Sequence, residues 1–246
     1  MTAGGRGAGT ALIAALLLAI LIAAKPASVA YAQDTLTAYG IYAGGALNLH
    51  SASFRSLPGI PNCCPDFSGG VGPGLQLGAQ LELPVREGVQ AVLRAMVSSS
   101  GAILKETEQT TLISGEESVA GVFEHKIDAA LWTAVLEPMA AVAIFETARI
   151  HAGFQVGLRF SSRFEQSEAI TEPADRGVCI ENGRRVRNEH SGELPNANPL
   201  HFAVSAGFDY SLPLNAGGNW RISPGIFFSY ALTPVVKGLS WHAHAL

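Results

Sequence analysis

The side chains best suited to acid–base work in this sequence are His125, flanked by Glu124 and Asp128, and His201. A hydrolase acting at a membrane surface needs a nucleophile beside a base, or paired acids and a histidine that activate water. Neighbouring residues of an extended strand point to opposite faces, so Glu124 and Asp128 face away from His125. The set does not converge. No catalytic residue is therefore expected, and the chain is read as a non-enzyme, with an outer-membrane lipid hydrolase as the lesser alternative.

Metal and cofactor chemistry has equally thin support. His242 and His244 share one face of the last segment and could hold a metal together. No carboxylate or thiol adjoins them in sequence, so polar filling of an interior is the expectation. Cys63, Cys64 and Cys179 show no CxxC spacing and no regular pattern with histidine, which argues against a metal site. In an exported chain they predict one disulfide, Cys179 with Cys63 or Cys64, and one thiol left over. GxSxG, HExxH, Walker A and GxGxxG signatures are absent from the sequence. Glycines 69, 70, 72 and 74 run into a strand rather than a helix. No cofactor is expected.

The elements that must carry these groups are oily. Of the 246 residues, 48% are hydrophobic and only 15% charged, and mean hydropathy is +0.25. This excludes a disordered chain and a disulfide-dense mini-protein. The long apolar run, Thr10 to Ala24, is preceded by Arg6 and followed by Ala30-Tyr31-Ala32. It reads as a signal peptide over residues 1–32, being short for a membrane anchor and followed by a cleavage-like site. The net charge of −4 offers nucleic acid nothing.

After residue 32 the apolar residues fall at every second position. Leu75, Leu77, Ala79, Leu81 and Leu83 oppose Gln76, Gly78, Gln80 and Glu82. Ile150, Ala152, Phe154, Val156, Leu158 and Phe160 oppose Arg149, His151, Gln155 and Arg159. Phe202, Val204, Ala206, Phe208 and Tyr210 oppose His201, Ser205 and Asp209, and Tyr39, Ile41, Ala43, Leu47 and Leu49 oppose Tyr42, Asn48 and His50. Such alternation predicts half-buried strands. Weaker segments at Val89–Ser100, Val122–Phe145, Trp220–Ala231 and Ser240–Leu246 bring the expected total to eight. Pro138 turns the Ala-rich fourth segment from helix toward strand, at the expense of a bulge or kink, and leaves Trp132 on its polar face.

The connections alternate in length. Those around 56–73, 101–121 and 161–200 are long, whereas Val85–Gly88, Glu146–Thr147 and Asn215–Gly218 are tight turns. Short turns at one end and long loops at the other are the anatomy of bacterial outer-membrane barrels. The fold class is thus expected to be all-β, an eight-stranded antiparallel up-and-down transmembrane β-barrel over residues 33–246. Burying charge in lipid is costly, so the polar faces turn inward. Glu82, Arg94, Glu124, Lys126, Asp128, Arg149, Arg159, Asp209 and Arg221 are the expected interior ion-pair network. Tyr39, Tyr210 and Trp220 would mark one rim, and Phe123, Phe160, Phe202, Tyr230 and Trp241 the other. A soluble barrel holding a lipophile would need the reverse orientation.

The run Leu57-Pro58-Gly59-Ile60-Pro61-Asn62-Cys63-Cys64-Pro65, then the Gly-rich stretch 69–74 leading to Glu82-Leu83-Pro84, resembles outer-membrane β-barrel proteins of the Bacteroidota/Chlorobi group. These are grouped with OmpA-like and PorT-like barrel domains. The resemblance implies an integral protein in the outer membrane of a Gram-negative-type bacterium, meeting outer-membrane lipids, more than any activity. The last piece, Ser240–Leu246, is shorter than the roughly 9–11 residues a membrane strand needs. Either the sequence stops short, or the first strand is left partly unpaired. The third connection, Glu165 to Asn198, carries seven acids and Arg176, Arg184, Arg185 and Arg187 around Cys179. It is either a solvated connector or a cap meeting an extracellular protein or glycan. A structural or loop-mediated role is the principal expectation, and a small-solute pore the alternative.

Overall fold

The computed structural model describes residues 37–61, 65–114, 117–175, 177–179, 182–216 and 219–246. The expected leader, Cys63, Cys64 and Arg176 lie outside the described residues. The strands are β1 (Ala38–Phe54), β2 (Phe67–Arg86), β3 (Val89–Ser99), β4 (Ala102–Ser114), β5 (Glu117–Ala143) and β6 (Ala148–Glu172). They continue with β7 (Val186–Glu193), β8 (Leu200–Tyr210), β9 (Leu212–Pro213), β10 (Arg221–Ile222), β11 (Gly225–Ala231) and β12 (Ser240–Ala245). Every pairing is antiparallel. Eight of the strands, β1-β2-β3-β5-β6-β8-β11-β12, hydrogen-bond in sequence, and β12 returns to β1 to close a ring.

Two ring positions are shared by successive strands. The lower part of β5 pairs with β3 and its upper part with β4, so β4 continues the lane of β3 after a break at residues 100–101. Asn48 patches that break from within, its amide donating to the carbonyls of Pro73 and Gly101 at 3.1 Å each. In the same way β8 pairs with the lower part of β6 and β7 with the upper. The connections expected to be long loops are thus largely strand. Their Glu-, Thr- and Lys-rich stretches lack a clear apolar alternation, yet backbone ladders such as Ala102↔Ala129 through Ser114↔Glu117 hold them extended. The expected strand Trp220–Ala231 is instead divided at Ser223-Pro224: β10 joins β9 in a separate two-stranded ladder, and β11 rejoins the ring. Between β2 and β3, Gly88 takes the tight turn at φ +69°, a backbone region that glycine enters without penalty.

The outer face of the ring changes polarity with height. In its lower part Leu75, Leu77, Leu93, Leu136, Ile150, Phe154, Val156 and Leu158 are exposed outside. On the same face higher up stand Lys105, Thr107, Glu124, Lys126, Asp128, Arg163 and Glu165. The inner face changes in the opposite sense. Below, it holds Glu82, Arg94, Glu137, Arg149, His151, Gln155 and Asp209; above, a cluster of Phe54, Leu57, Phe67, Leu104, Ile127, Leu131, Phe164, Val235 and Trp241 is buried. Burial of each such large side chain contributes about 1.5–3 kcal/mol. A bulge marks the transition on β6: Trp132 pairs with Ser161 but Thr133 with Arg159, leaving Phe160 over. Below it the odd-numbered residues of β6 turn inward, and above it Phe164, Gln166, Glu168 and Ile170 do.

Several expectations are corrected by this inversion. Glu124, Lys126 and Asp128 are not inside; they share the outer face of β5 with the exposed Trp132, while Phe123 and His125 point inward. These outward charges pair on the surface, Glu124 with Lys105 and Lys126 with Asp128, and remain partly exposed. Trp241 is fully buried rather than at a rim, and its neighbours His242 and His244 alternate to the outside, where His244 stacks on Tyr230 at 4.5 Å. The irregularities of β5 against β6 lie at Val122/Phe123 and Trp132/Thr133, not at Pro138, which simply pairs with Leu93 on β3.

Candidate functional site

The polar interior is organised around Arg149 on β6. Its Nη1 donates to Glu82 Oε2 and Gln90 Oε1, both at 2.7 Å, and its Nη2 donates to Asp209 Oδ2 at 2.6 Å. The strands supplying these partners, β2, β3 and β8, lie on different sides of β6 around the ring. Alternation alone puts all four residues on the inner face, and the cost of leaving any one charge unpaired there draws them together. Arg221, carried by β10, also donates to Glu82. His151 Nε2 lies 3.1 Å from the same Asp209 oxygen that Arg149 contacts.

A second group centres on Arg94 of β3. Its guanidinium sits between two rings, 4.4 Å from the Tyr42 centroid and 3.9 Å from that of Phe227. Its Nε donates to Gln80 Oε1 at 2.6 Å, and Nη1 lies 3.6 Å from Glu137. Glu137 accepts a further bond from Gln155 at 2.8 Å. Phe227 reaches Arg94 because position 207 is glycine: a Cβ there would stand 2.1 Å from Phe227 Cδ1.

Of the residues expected to form one interior network, Glu82, Arg149, Asp209 and Arg221 meet directly, and Arg94 adjoins them through Gln80, which itself donates to Glu82 at 2.5 Å. Arg159 is inside but binds backbone carbonyls, Asn198 O at 2.6 Å and Val235 O at 3.4 Å, below the apolar cluster. Glu124 pairs with Lys105 at 3.1 Å, and Lys126 with Asp128 at 3.5 Å, on the outer surface. Glu137 was missed. Its signal was available: it lies five residues from Trp132, so an outward Trp132 makes Glu137 inward.

His125 does meet acids, but from other strands. Its Nε2 lies 3.3 Å from Glu108 on β4, and its Nδ1 3.5 Å from Glu168 on β6. Arg187 on β7 donates to Glu168 at 2.9 Å and stands 4.5 Å over the Phe123 ring. Burial alone would lower the His125 pKa and raise that of Glu168. Several partners together outweigh it: hydrogen bonding to and attraction by Glu168 and Glu108 raise His125, and His125, Asn188 and Arg187 lower Glu168 to about 2. Both nitrogens of this buried imidazole face carboxylates, an arrangement that makes an ion pair rather than a base open to substrate. His201 lies 3.3 Å from Gln155 and is not part of this group. Cys179 is buried beside Leu112, Phe123 and Ile170; the disulfide expected for it involves Cys63 or Cys64, outside the described residues. Among the described residues, no cluster of three or more His, Cys, Asp or Glu is arranged to hold a metal ion.

The polar interior opens sideways. Between β1 and β11 a cleft of about 890 Å³ is lined by Tyr42, Gln80, Glu82, Arg94, Arg221 and Phe227, among others. The guanidinium groups of Arg94, Arg149 and Arg221 pair with the carboxylates of Glu82, Glu137 and Asp209, while Arg159 is held by backbone carbonyls. Mutual pairing of this kind engages the buried charges with one another. No protein-family model, no curated protein and no solved structure matches the chain.

Proposed function

We propose that the chain is an integral outer-membrane protein, an eight-stranded up-and-down β-barrel with a structural or loop-mediated role. The observation that carries this reading is the polarity inversion. An apolar outer wall beneath a charged one suits a strand ring that enters lipid with its lower part only. From Tyr39 to Leu49, roughly 11 residues rising about 3.3 Å each at a tilt near 45° reach about 25 Å, the height of a transmembrane apolar band. The inward ion pairs and the apolar cluster above them favour a filled interior over a conducting one. The likeness of the first connection to OmpA-like and PorT-like barrel domains belongs to the same reading.

The projecting β4–β5 hairpin and the β6–β7 extension, with charged outer faces and a buried His125 group, are the surfaces best placed to meet an external protein or glycan. Export and fractionation test the location: the protein should be recovered with outer membranes and migrate faster on gels before boiling than after. Recovery as a detergent-free soluble monomer would sink the proposal. Planar bilayers should show no steady conductance, and a stable current would move the reading to a small-solute pore.

A further inference from the structure

Below the apolar cluster, the described residues place more positive than negative charge inside the ring. Arg94, Arg149, Arg159 and Arg221 share that space with Glu82, Glu137 and Asp209. The carboxylates are taken by Arg94, Arg149 and Arg221. Arg159 is the cation left over: it is 8% exposed and forms no ion pair. A guanidinium stays protonated in a protein interior, so it cannot shed this charge. A buried charge without a counter-charge is costly.

The hydrogen bonds of Arg159 are incomplete as well. Nη1 donates to the carbonyls of Asn198 and Val235. Nε is enclosed and has no acceptor, and Nη2 makes no bond either but is not sealed off as Nε is. Nε and Nη2 form one edge of the guanidinium fork, the edge that receives an anion side-on. Val235 links this edge to a further unbonded donor. Its N–H donates to Trp241 O at 2.7 Å, and the Trp241 indole donates to His50 Nδ1 at 2.9 Å. An indole N–H only donates, so Nδ1 accepts and the proton of His50 sits on Nε2. That N–H is buried and unbonded; the Ser100 carbonyl stands near it, outside hydrogen-bond geometry. His201, opposite Gly157 on the neighbouring strand, is turned to Gln155 and supplies no negative charge.

We propose that the free edge of Arg159 is a binding site for a small monovalent anion, a halide, at the level where the polar interior meets the apolar cluster. One uncompensated positive charge sets the charge of the ligand. The unbonded groups at the site, Nε and Nη2 of Arg159 and Nε2 of His50, are all donors, so the ligand accepts and has no proton to give. With Nε enclosed, approach is through Nη2, which suits a single spherical ion better than a planar carboxylate or a sulfate. The bound ion completes the interior electrostatics and ties the Asn198 and Val235 segments, through Arg159, to β6.

The test uses the full chain refolded in detergent micelles, with bromide as probe against the bulky anion gluconate at constant ionic strength. Above half-saturation, the unfolding equilibrium constant in urea should fall about tenfold for each tenfold rise in bromide. Thr133 pairs with Arg159 across β5 and β6 and is also buried, at 3% exposure. Thr133→Asp would put a carboxylate of similar size opposite the guanidinium and take the place of the ion. Its bromide dependence should vanish, and its unfolding midpoint in gluconate should equal or exceed that of the parent. An Arg159 with a merely structural role gives the reverse, a lower midpoint from one more buried charge. Arg159→Lys should keep the dependence and Arg159→Gln should lose it; if Arg159→Gln does not fold, Thr133→Asp decides alone. Equal parent midpoints in bromide and gluconate would overturn the proposal. So would a bromide dependence that survives in either Thr133→Asp or Arg159→Gln, or a lowered Thr133→Asp midpoint in gluconate. The site needs nothing of the outer wall, so soluble recovery would defeat the membrane reading and leave this result intact.

Discussion

Arg149 on β6 and Glu82 on β2, 67 residues apart in sequence, meet across the ring interior at 2.7 Å. Neither strand pairs with the other, so this contact ties two walls together rather than two neighbours. Arg149→Met leaves Glu82 with Arg221 and Gln80, and Asp209 with His151. Breaking a buried pair by removing one partner costs about 3–5 kcal/mol, most of it from the charge left behind. Urea unfolding of the refolded protein should show that loss. Adding Asp209→Asn to Arg149→Met should then cost less than the sum of the single changes. Additivity within about 0.5 kcal/mol would mean that the cluster is not a coupled unit.

The inner positions of Glu82, Arg149, Asp209 and Arg221 are legible in the sequence because each lies in a run whose alternate residues are uniformly apolar. β5 is not legible in that way. Its outward face reads Glu124, Lys126, Asp128, then Trp132, Leu136 and Val142, so a rule that assigns charge to the inside inverts the whole strand. The rule fails because the outer face of β5 changes from charged to apolar along its length. The bulge at Phe160 is equally hidden, since one extra residue changes no composition and is visible only against the partner strand. The acids facing His125 come from β4 and β6, and no local spacing could have named them.

The polarity change on the outer face predicts opposite responses at two heights. Phe154 is exposed in the apolar band, and Phe154→Arg in lipid bilayers should cost about 2–4 kcal/mol, the penalty for a cation near mid-depth of a barrel wall. Thr107 lies on the same face higher up, opposite Glu124. Thr107→Arg there should change stability by less than about 0.5 kcal/mol. Equal effects at the two sites, measured by unfolding from vesicles, would argue against a bilayer around the lower wall.

Gly207 sets the position of Phe227. A methyl group at residue 207 would collide with the Phe227 ring, whose centroid lies 3.9 Å from the Arg94 guanidinium. Gly207→Ala should therefore destabilise by about 1–3 kcal/mol through overpacking. Phe227→Ala should lose aromatic packing and the cation–π contact on its own. Combined with it, Gly207→Ala should cost less than about 0.5 kcal/mol further, because the clash has no partner left. An undiminished cost in the double variant would show that residue 207 is constrained by its backbone instead.

The β4–β5 hairpin should have a bounded pH range of stability. Glu168 has its pKa lowered from 4.5 to about 2 in the folded chain, so its contribution is whole above about pH 4.5 and is lost as pH falls toward 2. His125 is raised above 6.5, so its contribution is whole below about pH 6.5 and is lost as pH rises through the raised value. Beyond burial, Glu168 on β6 and Glu108 on β4 raise His125, and His125 with Asn188 and Arg187 on β7 lowers Glu168. Protection of hairpin amides should therefore be greatest between about pH 4.5 and 6.5 and decline on either side. Hydrogen exchange from about pH 3 to about pH 9, corrected for the intrinsic rate, measures this directly. Glu168→Gln should flatten the acid limb and cost about 2 kcal/mol at pH 6, since it leaves Arg187 and a buried imidazolium without their shared counter-charge. His125→Gln should flatten the alkaline limb. Protection that stays level across the whole range in the parent would show that these ion pairs do not hold the hairpin to β6 and β7.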